Sequence, residues 1–245
     1  MVNFSAKWLD WLAPAHCLLC SSAIRHSSTT QSSSALSVPN LCAPCAGSLP
    51  RNVLACQRCA LPLNSPSQWC APCALAPFPV VVHAPLRYDH PVDALIQQLK
   101  FSRQLRAAHS LAHHWRELEH AAYDMLVPVP LHAQRLRERG FNQAERLARL
   151  ASRQHDLPLA TRVLQRTRAT APQTLNHDAT QRRKNLQGAF VVPPRARARI
   201  VQKHILLVDD VVTTGSTVRE AAQTLLAAGA AQVTVWAVAR TARLY

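Results

Sequence analysis

From residue 80 onward, apolar and polar positions follow two alternating periods. Short apolar runs bounded by Pro, Gly or charged residues predict strands at 80–86, 125–129, 205–208 and 233–239. Apolar residues spaced three and four apart predict helices at 91–100, 103–118, 142–155 and 216–228. Strands that alternate with helices are typical of a parallel sheet with helices on both faces. The pattern therefore predicts an α/β fold.

The first 77 residues lack this alternation and contain all eight cysteines. The cysteines form four Cys-x-x-Cys pairs, a spacing that lets two thiolates reach one tetrahedral zinc ion. We expect two structural zinc sites filled by consecutive pairs, although spacing alone also permits a cross-brace pairing. Redox catalysis by one pair is the minor alternative. The expected ligands are Cys17, Cys20, Cys42, Cys45, Cys56, Cys59, Cys70 and Cys73.

Pro77 and Pro79 separate the cysteine-rich segment from the first predicted strand. Prolines between two different patterns are typical of a linker. We therefore predict a zinc-ribbon domain with two four-cysteine sites at 1–77 and a sheet domain at 78–245. Residues 21–37 are rich in serine and offer few apolar side chains to bury, so we expect a loop there.

The strand predicted at 205–208 leads into paired carboxylates and then into a hydroxyl-rich turn that opens a helix. Backbone N–H groups at a helix N-terminus attract phosphate, and carboxylates accept hydrogen bonds from the hydroxyls of a sugar. Glycine in the turn lets the backbone approach that phosphate. The pattern predicts a sugar-phosphate site, although an ordinary capped helix with solvated acids is the alternative. The candidate binding residues are Asp209, Asp210, Val211, Val212, Thr213, Thr214, Gly215, Ser216 and Thr217.

Charge is unevenly distributed along the chain. The net charge is +15, and residues 134–203 contribute +12 of it through 16 Lys or Arg against four acids. Such a segment favours an anionic partner, nucleic acid or polyphosphate, over a merely solvated arginine-rich surface. The sequence shows no signal-peptide pattern and no apolar run of membrane-spanning length. We therefore expect a cytoplasmic protein without membrane insertion. In the reducing cytoplasm, cysteines more often bind metal than form disulfides.

Residues 206–217 resemble the phosphoribosyl pyrophosphate (PRPP) signature of the type I phosphoribosyltransferases. Residues 127–132, 139–143, 166–173 and 182–190, with the cysteine pairs, are similar to the ComF and GntX-like branch of that family. The resemblance implies a type I phosphoribosyltransferase-like parallel sheet flanked by helices, with a small N-terminal zinc ribbon. It also implies that Asp209 and Asp210 bind the ribose hydroxyls, that the following loop binds the 5-phosphate, and that magnesium accompanies PRPP.

A second candidate loop follows the strand predicted at 125–129, because ligands of open α/β sheets bind at the carboxyl ends of strands. His132 is expected to face the pyrophosphate. Arg139 is expected to contact it through its guanidinium group and completes the candidate catalytic set with the acid pair, Asp209 and Asp210. Related amidophosphoribosyltransferases carry Asp-Ser-Gly where residues 131–133 are Leu-His-Ala, so PRPP binding is better supported than turnover. Lys100 is expected to cap the C-terminus of its own helix, and the alternative is that its side chain extends toward the active crevice.

Two functions follow from these features. The first is a PRPP-binding, phosphoribosyltransferase-like protein of the ComF type, acting in DNA uptake (competence) or DNA processing. Its basic stretch and zinc ribbon would hold single-stranded DNA, and its partners would include DNA-uptake or helicase proteins. The alternative is an active phosphoribosyltransferase of nucleotide or nucleobase metabolism with an unidentified acceptor.

Overall fold

A computed structural model describes residues 15–24, 38–101, 105–116, 123–168 and 187–242. Its strands are β1 (Val81–His83), β2 (Leu86–Arg87), β3 (Met125–Pro128), β4 (Gln165–Arg166), β5 (Phe190–Val191), β6 (His204–Val212) and β7 (Gln232–Arg240). The central sheet has the order β3-β6-β7-β1, and all of its pairs are parallel. Strand β2 continues the β1 edge along β7, also in parallel. The predicted parallel sheet is therefore confirmed.

The helices surround this sheet. They are α1 (Ala43–Gly47), α2 (Ala71–Leu75), α3 (Val92–Phe101), α4 (Leu105–Ala112), α5 (Ala133–Arg139), α6 (Gln143–His155), α7 (Pro194–Ile200) and α8 (Ser216–Ala227). The helix predicted at 103–118 ends its α-helical part at Ala112 and continues as a 3-10 turn, His113–Trp115. Within the described part of the chain, no helix combines the length and apolar character needed to span a bilayer.

Several strands and helices of the structure differ from those that the apolar patterns predict. The strand predicted at 80–86 is two short strands, and the antiparallel pair β4 and β5 was not predicted. Helix α5 buries none of its side chains, and α7 buries only Ala196 and Ile200. A helix that buries so little carries no apolar periodicity, so sequence patterns cannot detect it.

Two hydrophobic cores lie on opposite faces of the sheet, because successive side chains of a strand point to opposite sides. Ile205 and Leu207 of β6 join the core covered by α7 and α8, whereas Leu206 and Val208 join the core covered by α3, α4 and α6. Strand β6 is thus buried on both sides, which explains its continuous apolar run.

The cysteine-rich segment packs against the edge of this sheet. The backbone N–H of Val82 donates to the carbonyl of Arg58 at 3.0 Å, and that of Arg87 donates to the carbonyl of Pro50 at 2.8 Å. The amide of Asn52 donates to the carbonyl of Ala84 at 3.0 Å. The domain division near residue 78 stays a prediction, and residues 25–37 of the predicted serine-rich loop lie outside the described chain.

Candidate functional site

Asp209 and Asp210 lie near the carboxyl end of β6, and only 8% and 6% of their surfaces are exposed. The strand predicted to stop at Val208 continues through both acids to Val212, because backbone pairing with β7 continues. The N–H of Asp210 donates to Oδ1 of Asp209 at 2.8 Å, and that of Val211 donates to Oδ1 of Asp210 at 2.9 Å. The sheet thus holds both carboxyl groups in place.

Lys100 supplies the counter-charge for this acid pair. Its Nζ lies 3.0 Å from Oδ2 of Asp210, and 20% of its side chain is exposed. Of the two predictions for Lys100, the favoured helix cap is therefore wrong and the alternative is confirmed: its ammonium group reaches across to β6. Such a contact joins residues 110 positions apart, so local periodicity gives no sign of it.

The two acids differ in protonation. Burial, reinforced by the neighbouring Asp210 charge, raises the pKa of Asp209 well above its ordinary value. Burial would also raise the pKa of Asp210, but the Lys100 ammonium group outweighs it and the pKa is lowered. Two carboxylates in close contact resist ionising together. Asp210 is therefore the anionic member, and Asp209 binds a proton more readily.

Arginine side chains flank the acid pair. Nη1 of Arg139 donates to Oε1 of Gln143 at 3.1 Å, and its guanidinium lies 5.4 Å from the centre of the Phe101 ring. Burial lowers the pKa of Arg139, and the charge of Asp210 partly opposes this. The pKa of Arg166 is lowered by burial in the same way, with Asp209 opposing. These guanidinium groups therefore lie within electrostatic reach of the two acids.

Arg166 is a site residue that sequence reasoning did not single out. It lies in β4, a two-residue strand that no apolar pattern predicts. The only signal in the sequence is the resemblance of residues 166–173, and residues 169–173 lie outside the described chain. Arg135 exerts electrostatic repulsion on both Arg139 and Arg166, so the three guanidinium groups share one region.

Residues 213–217, called the phosphate loop from here on, connect β6 to α8. Oγ1 of Thr214 lies 2.9 Å from Oγ of Ser216 and accepts from the N–H of Ser216 at 3.3 Å. Thr213 is exposed, whereas Thr214, Ser216 and Thr217 are half-buried. The loop thus presents hydroxyls at the N-terminus of a helix of 12 residues, where backbone N–H groups favour an anion.

Gly215 is required by packing against the protein. Its φ is +79°, and a Cβ at this position would lie 2.7 Å from Cε2 of Phe78. The Phe78 ring fills the space on the Cβ side of Gly215, and the expected close approach of its backbone to a phosphate stays a prediction. The guanidinium of Arg219 lies 4.3 Å from the centre of the same ring.

The loop after β3 lies beside the acid pair. Pro128 pairs with Val208, so the ends of β3 and β6 are neighbours. His132 caps α5: its Nδ1 accepts from the N–H of Gln134 at 3.3 Å. Asn142 fixes the far end of the loop, since its amide donates to the carbonyl of Val129 at 3.0 Å. The expected contact of His132 with pyrophosphate stays a prediction.

The eight cysteines form two groups of four, and none is in a disulfide. The first cysteine group is Cys17, Cys20, Cys42 and Cys45, and the second is Cys56, Cys59, Cys70 and Cys73. This is the sequential pairing rather than the cross-brace. In each group the sulfur atoms lie within 4.8 Å of one another.

The sulfur geometry fits a tetrahedral metal. The Sγ atoms of Cys20 and Cys42 are 3.6 Å apart, as are those of Cys59 and Cys70. Sulfur atoms bound to one zinc ion at about 2.3 Å are about 3.8 Å apart. Burial opposes ionisation of Cys56, but backbone N–H groups of Cys70 and Cys59 lower its pKa to about 7. The thiolate form of Cys56 is thereby favoured, whereas burial raises the pKa values of Cys59 and Cys70.

Comparisons with known proteins agree with this geometry. A family model described as phosphoribosyl transferase domain matches residues 137–244, which include the acid pair and the phosphate loop. DNA utilization protein YhgH of Salmonella typhi is 37% identical over 217 residues, covering 84% of this chain and 93% of its own. Competence protein F of Haemophilus influenzae is 33% identical over 165 residues, covering 62% and 69%.

A solved glutamine PRPP amidotransferase from B. subtilis has a TM-score of 0.37 and 18% identity, covering 52% of this chain and 25% of its own. That match is too distant to support an argument. The YhgH match has higher sequence identity, 37%, and extends over nearly the full length of the relative. The chain therefore belongs to the ComF and GntX-like family, whose members combine a type I phosphoribosyltransferase fold with cysteine pairs.

Proposed function

We propose that this protein binds PRPP at the carboxyl end of β6 and acts in DNA uptake or DNA utilization. The observation that carries the proposal is the buried acid pair placed directly before a hydroxyl-lined helix N-terminus. Carboxylates accept from the ribose 2- and 3-hydroxyls, and the phosphate loop donates to the 5-phosphate. The names of the relatives, a DNA utilization protein and a competence protein, support the second part.

Two kinds of metal accompany this proposal. Zinc suits both cysteine groups, since four thiolates at these distances form a closed structural site. Magnesium prefers phosphate oxygens and water, and would neutralise the pyrophosphate of bound PRPP. Thiolate ligands persist in a reducing compartment, which supports a cytoplasmic location. Metal analysis of the purified protein is expected to find about two zinc ions per chain; fewer than one would contradict four-thiolate sites in both groups.

PRPP binding is tested by calorimetric titration of PRPP with magnesium into wild-type protein and Asp209→Asn. The amide keeps the size of the carboxyl group but loses its acceptor strength, so the dissociation constant is expected to rise roughly 10- to 100-fold. Asp124→Asn is the matched control, because Asp124 also pairs with a lysine, Lys203, at 2.9 Å but in an exposed position. If wild type shows no binding, or both variants weaken it equally, the proposal is wrong.

The DNA part of the proposal rests on exposed positive charge. Helix α7 exposes three arginines, and residues 182–184 lie outside the described chain. Anisotropy titrations with single-stranded oligonucleotides at several salt concentrations would compare two triple alanine variants of equal net charge. The first variant replaces Arg195, Arg197 and Arg199. The control replaces Arg116, Arg149 and Arg153, which are also exposed.

Each lost phosphate contact on single-stranded DNA reduces the salt slope by about 0.7. The α7 variant is therefore expected to show a shallower slope than the control. Equal salt slopes in the α7 variant and the control would show that α7 is not part of the DNA surface. A wild-type affinity that does not change with salt would refute the DNA-binding proposal.

A second candidate function is phosphoribosyl transfer to an unidentified acceptor. It is favoured by Arg139 and Arg166, which lie within electrostatic reach of the acid pair and carry the positive charge that would stabilise a pyrophosphate leaving group. The test is release of pyrophosphate from PRPP and magnesium in the presence of a panel of nucleobases and amines. Release that depends on one acceptor supports transfer; background release with every acceptor leaves PRPP as a ligand only.

A further inference from the structure

Arg240 is a fully buried arginine between the second cysteine group and the phosphate loop. It is the last residue of β7, and only 1% of its surface is exposed. Its Nε donates to the carbonyl of Cys59 at 3.1 Å. Its Nη1 donates to the carbonyl of Val212 at 3.0 Å and also contacts the carbonyl of Thr213. One guanidinium group therefore links a metal-ligand residue to the start of the phosphate loop.

A second connection runs parallel to the first. Arg58 lies between Cys56 and Cys59, and its Nε donates to the carbonyl of Phe78 at 2.7 Å. The Phe78 ring fills the space beside Gly215, in the middle of the phosphate loop. The carbonyl of Cys59 and the side chain of Arg58 thus support the loop at two points, residues 212–213 through Arg240 and residue 215 through Phe78.

Charge explains why an arginine can be buried here. Four thiolates around a divalent metal carry a net charge of −2, which is costly to bury without compensation. The side chain of Arg240 lies within electrostatic reach of Cys59, Cys70 and Cys73. Its positive charge offsets part of this negative charge, so the buried arginine and the metal-bound thiolates stabilise each other.

The first cysteine group has different neighbours. Gln98 donates to the carbonyl of Leu18 at 2.9 Å, and Arg106 donates to that of His16 at 2.8 Å. These contacts fix the first group to α3 and α4, on the other face of the sheet. The described residues show no comparable link from the first group to the phosphate loop.

We propose that Arg240 is a positioning residue that couples metal binding at the second cysteine group to the geometry of the phosphate loop. The second group then supports PRPP binding, whereas the first group stabilises the helical face. The inference rests on the proposed function, because PRPP is taken as the ligand of the loop. It predicts that a substitution of Arg240, or loss of the metal from the second cysteine group, weakens PRPP binding at the phosphate loop. The metal acts on the loop through the side chain of Arg240 and does not contact PRPP.

The test compares wild type, Arg240→Lys, Arg240→Met and the control Asn52→Ala. Asn52 also holds the cysteine segment to the sheet, through the carbonyls of Ala60 and Ala84, but does not contact the phosphate loop. Each protein is assayed for zinc content, for zinc release to a chromophoric chelator, and for the dissociation constant of PRPP with magnesium. All titrations are done well below the unfolding temperature of the least stable variant.

Arg240→Lys keeps the charge beside the thiolates but loses the planar fork that reaches both carbonyls. It is expected to retain two zinc ions and to bind PRPP at least about tenfold more weakly. Arg240→Met is expected to release zinc from one site faster as well. Asn52→Ala is expected to lower the unfolding temperature with little change in PRPP affinity.

Hydrogen exchange of the wild-type protein tests the coupling without any substitution. When zinc is removed slowly, hydrogen exchange in the phosphate loop is expected to increase once the second cysteine group has lost its metal. Loss of metal from the first cysteine group alone is expected to leave this exchange unchanged. The inference is overturned if the Arg240 variants bind PRPP as tightly as wild type, or if Asn52→Ala weakens PRPP binding as much as they do. It is also overturned if hydrogen exchange in the phosphate loop stays the same when the second cysteine group loses its metal. Absence of PRPP binding by wild type would instead refute the proposed function, and the exchange experiment would still decide the coupling.

Discussion

Replacing Asp209 by asparagine is expected to stabilise the fold, whereas the same change at Asp210 is expected to destabilise it. Both side chains are buried at neighbouring positions of one strand. Asparagine preserves the size of the side chain and the Oδ1 atom that accepts the backbone hydrogen bond at each position. The two substitutions therefore differ mainly in the charge that they remove.

The sign of each effect follows from the pKa. Burial, with the charge of Asp210, raises the pKa of folded Asp209 above the 3.8 of an ordinary aspartate. The unfolded chain releases this proton near pH 4, so wild-type stability falls as pH rises above that value toward the raised pKa. Asparagine avoids this loss. The gain from Asp209→Asn should be absent below about pH 4 and grow toward neutral pH.

Asp210 behaves in the opposite way. Its folded pKa is lowered because the Lys100 ammonium group, 3.0 Å from Oδ2, outweighs the effect of burial. Asp210 therefore contributes stability above the unfolded pKa that is lost as pH falls through the folded pKa. Removing one partner of a buried ion pair costs about 3–5 kcal/mol. Asp209 also lies within reach of Lys100, so we expect a loss near 3 kcal/mol, or about 6–12 °C in unfolding temperature.

The assay is thermal unfolding of wild type, Asp209→Asn, Asp210→Asn and Asp124→Asn between pH 4 and pH 8. Asp124→Asn breaks an exposed ion pair with Lys203, which solvent screens, so it is expected to change the unfolding temperature only slightly. Destabilisation of the same size at positions 209 and 210 would refute the assigned protonation states. So would a gain at position 209 that does not depend on pH.

Two further predictions concern Gly215 and His114. Gly215→Ala should cost about 2–5 kcal/mol, because a left-handed backbone costs about 1–2 kcal/mol and overpacking against Phe78 costs about 1–3 kcal/mol. Gly188→Ala is its control, since Gly188 has φ +68° but nothing within 4 Å of the added carbon; equal costs would mean that Phe78 moves aside freely. Burial lowers the pKa of His114 to about 4, so the contribution of His114 to stability should fall by about 3 kcal/mol from pH 6.5 to pH 4 as the unfolded histidine binds a proton. His114→Leu should flatten that dependence in urea titrations, and an unchanged profile would show that His114 does not cause it.

Sequence patterns predicted the elements whose signal is local. Strand β6 is buried on both faces, so its apolar run is continuous and its place in a parallel sheet could be predicted. Helix α6 buries Ala144, Leu147, Ala148 and Ala151, which gives the period of a helix. Helix α5 buries nothing and was missed for that reason. A helix of this chain could thus be predicted from the sequence only where it buries enough side chains on one face.

The functional residues divide in the same way. The acid pair, the hydroxyls of the phosphate loop and the Cys-x-x-Cys pairs are visible in the sequence because their chemistry lies within a few consecutive positions. Arg166 and Arg240 are not visible, and the sequence left two alternatives for Lys100, because each acts on residues distant in the chain. Only the order of strands in the sheet brings such residues together.

By itself, the sequence determined a parallel α/β fold, two sets of metal ligands and a sugar-phosphate motif at one strand end. Tertiary structure alone decided that the cysteine pairs group sequentially, that Lys100 pairs with Asp210, and that the Phe78 ring packs against Gly215. The physical reason is that periodicity and ligand spacing record local geometry. Burial, ion pairing and close packing depend on which distant segments the folded sheet brings into contact.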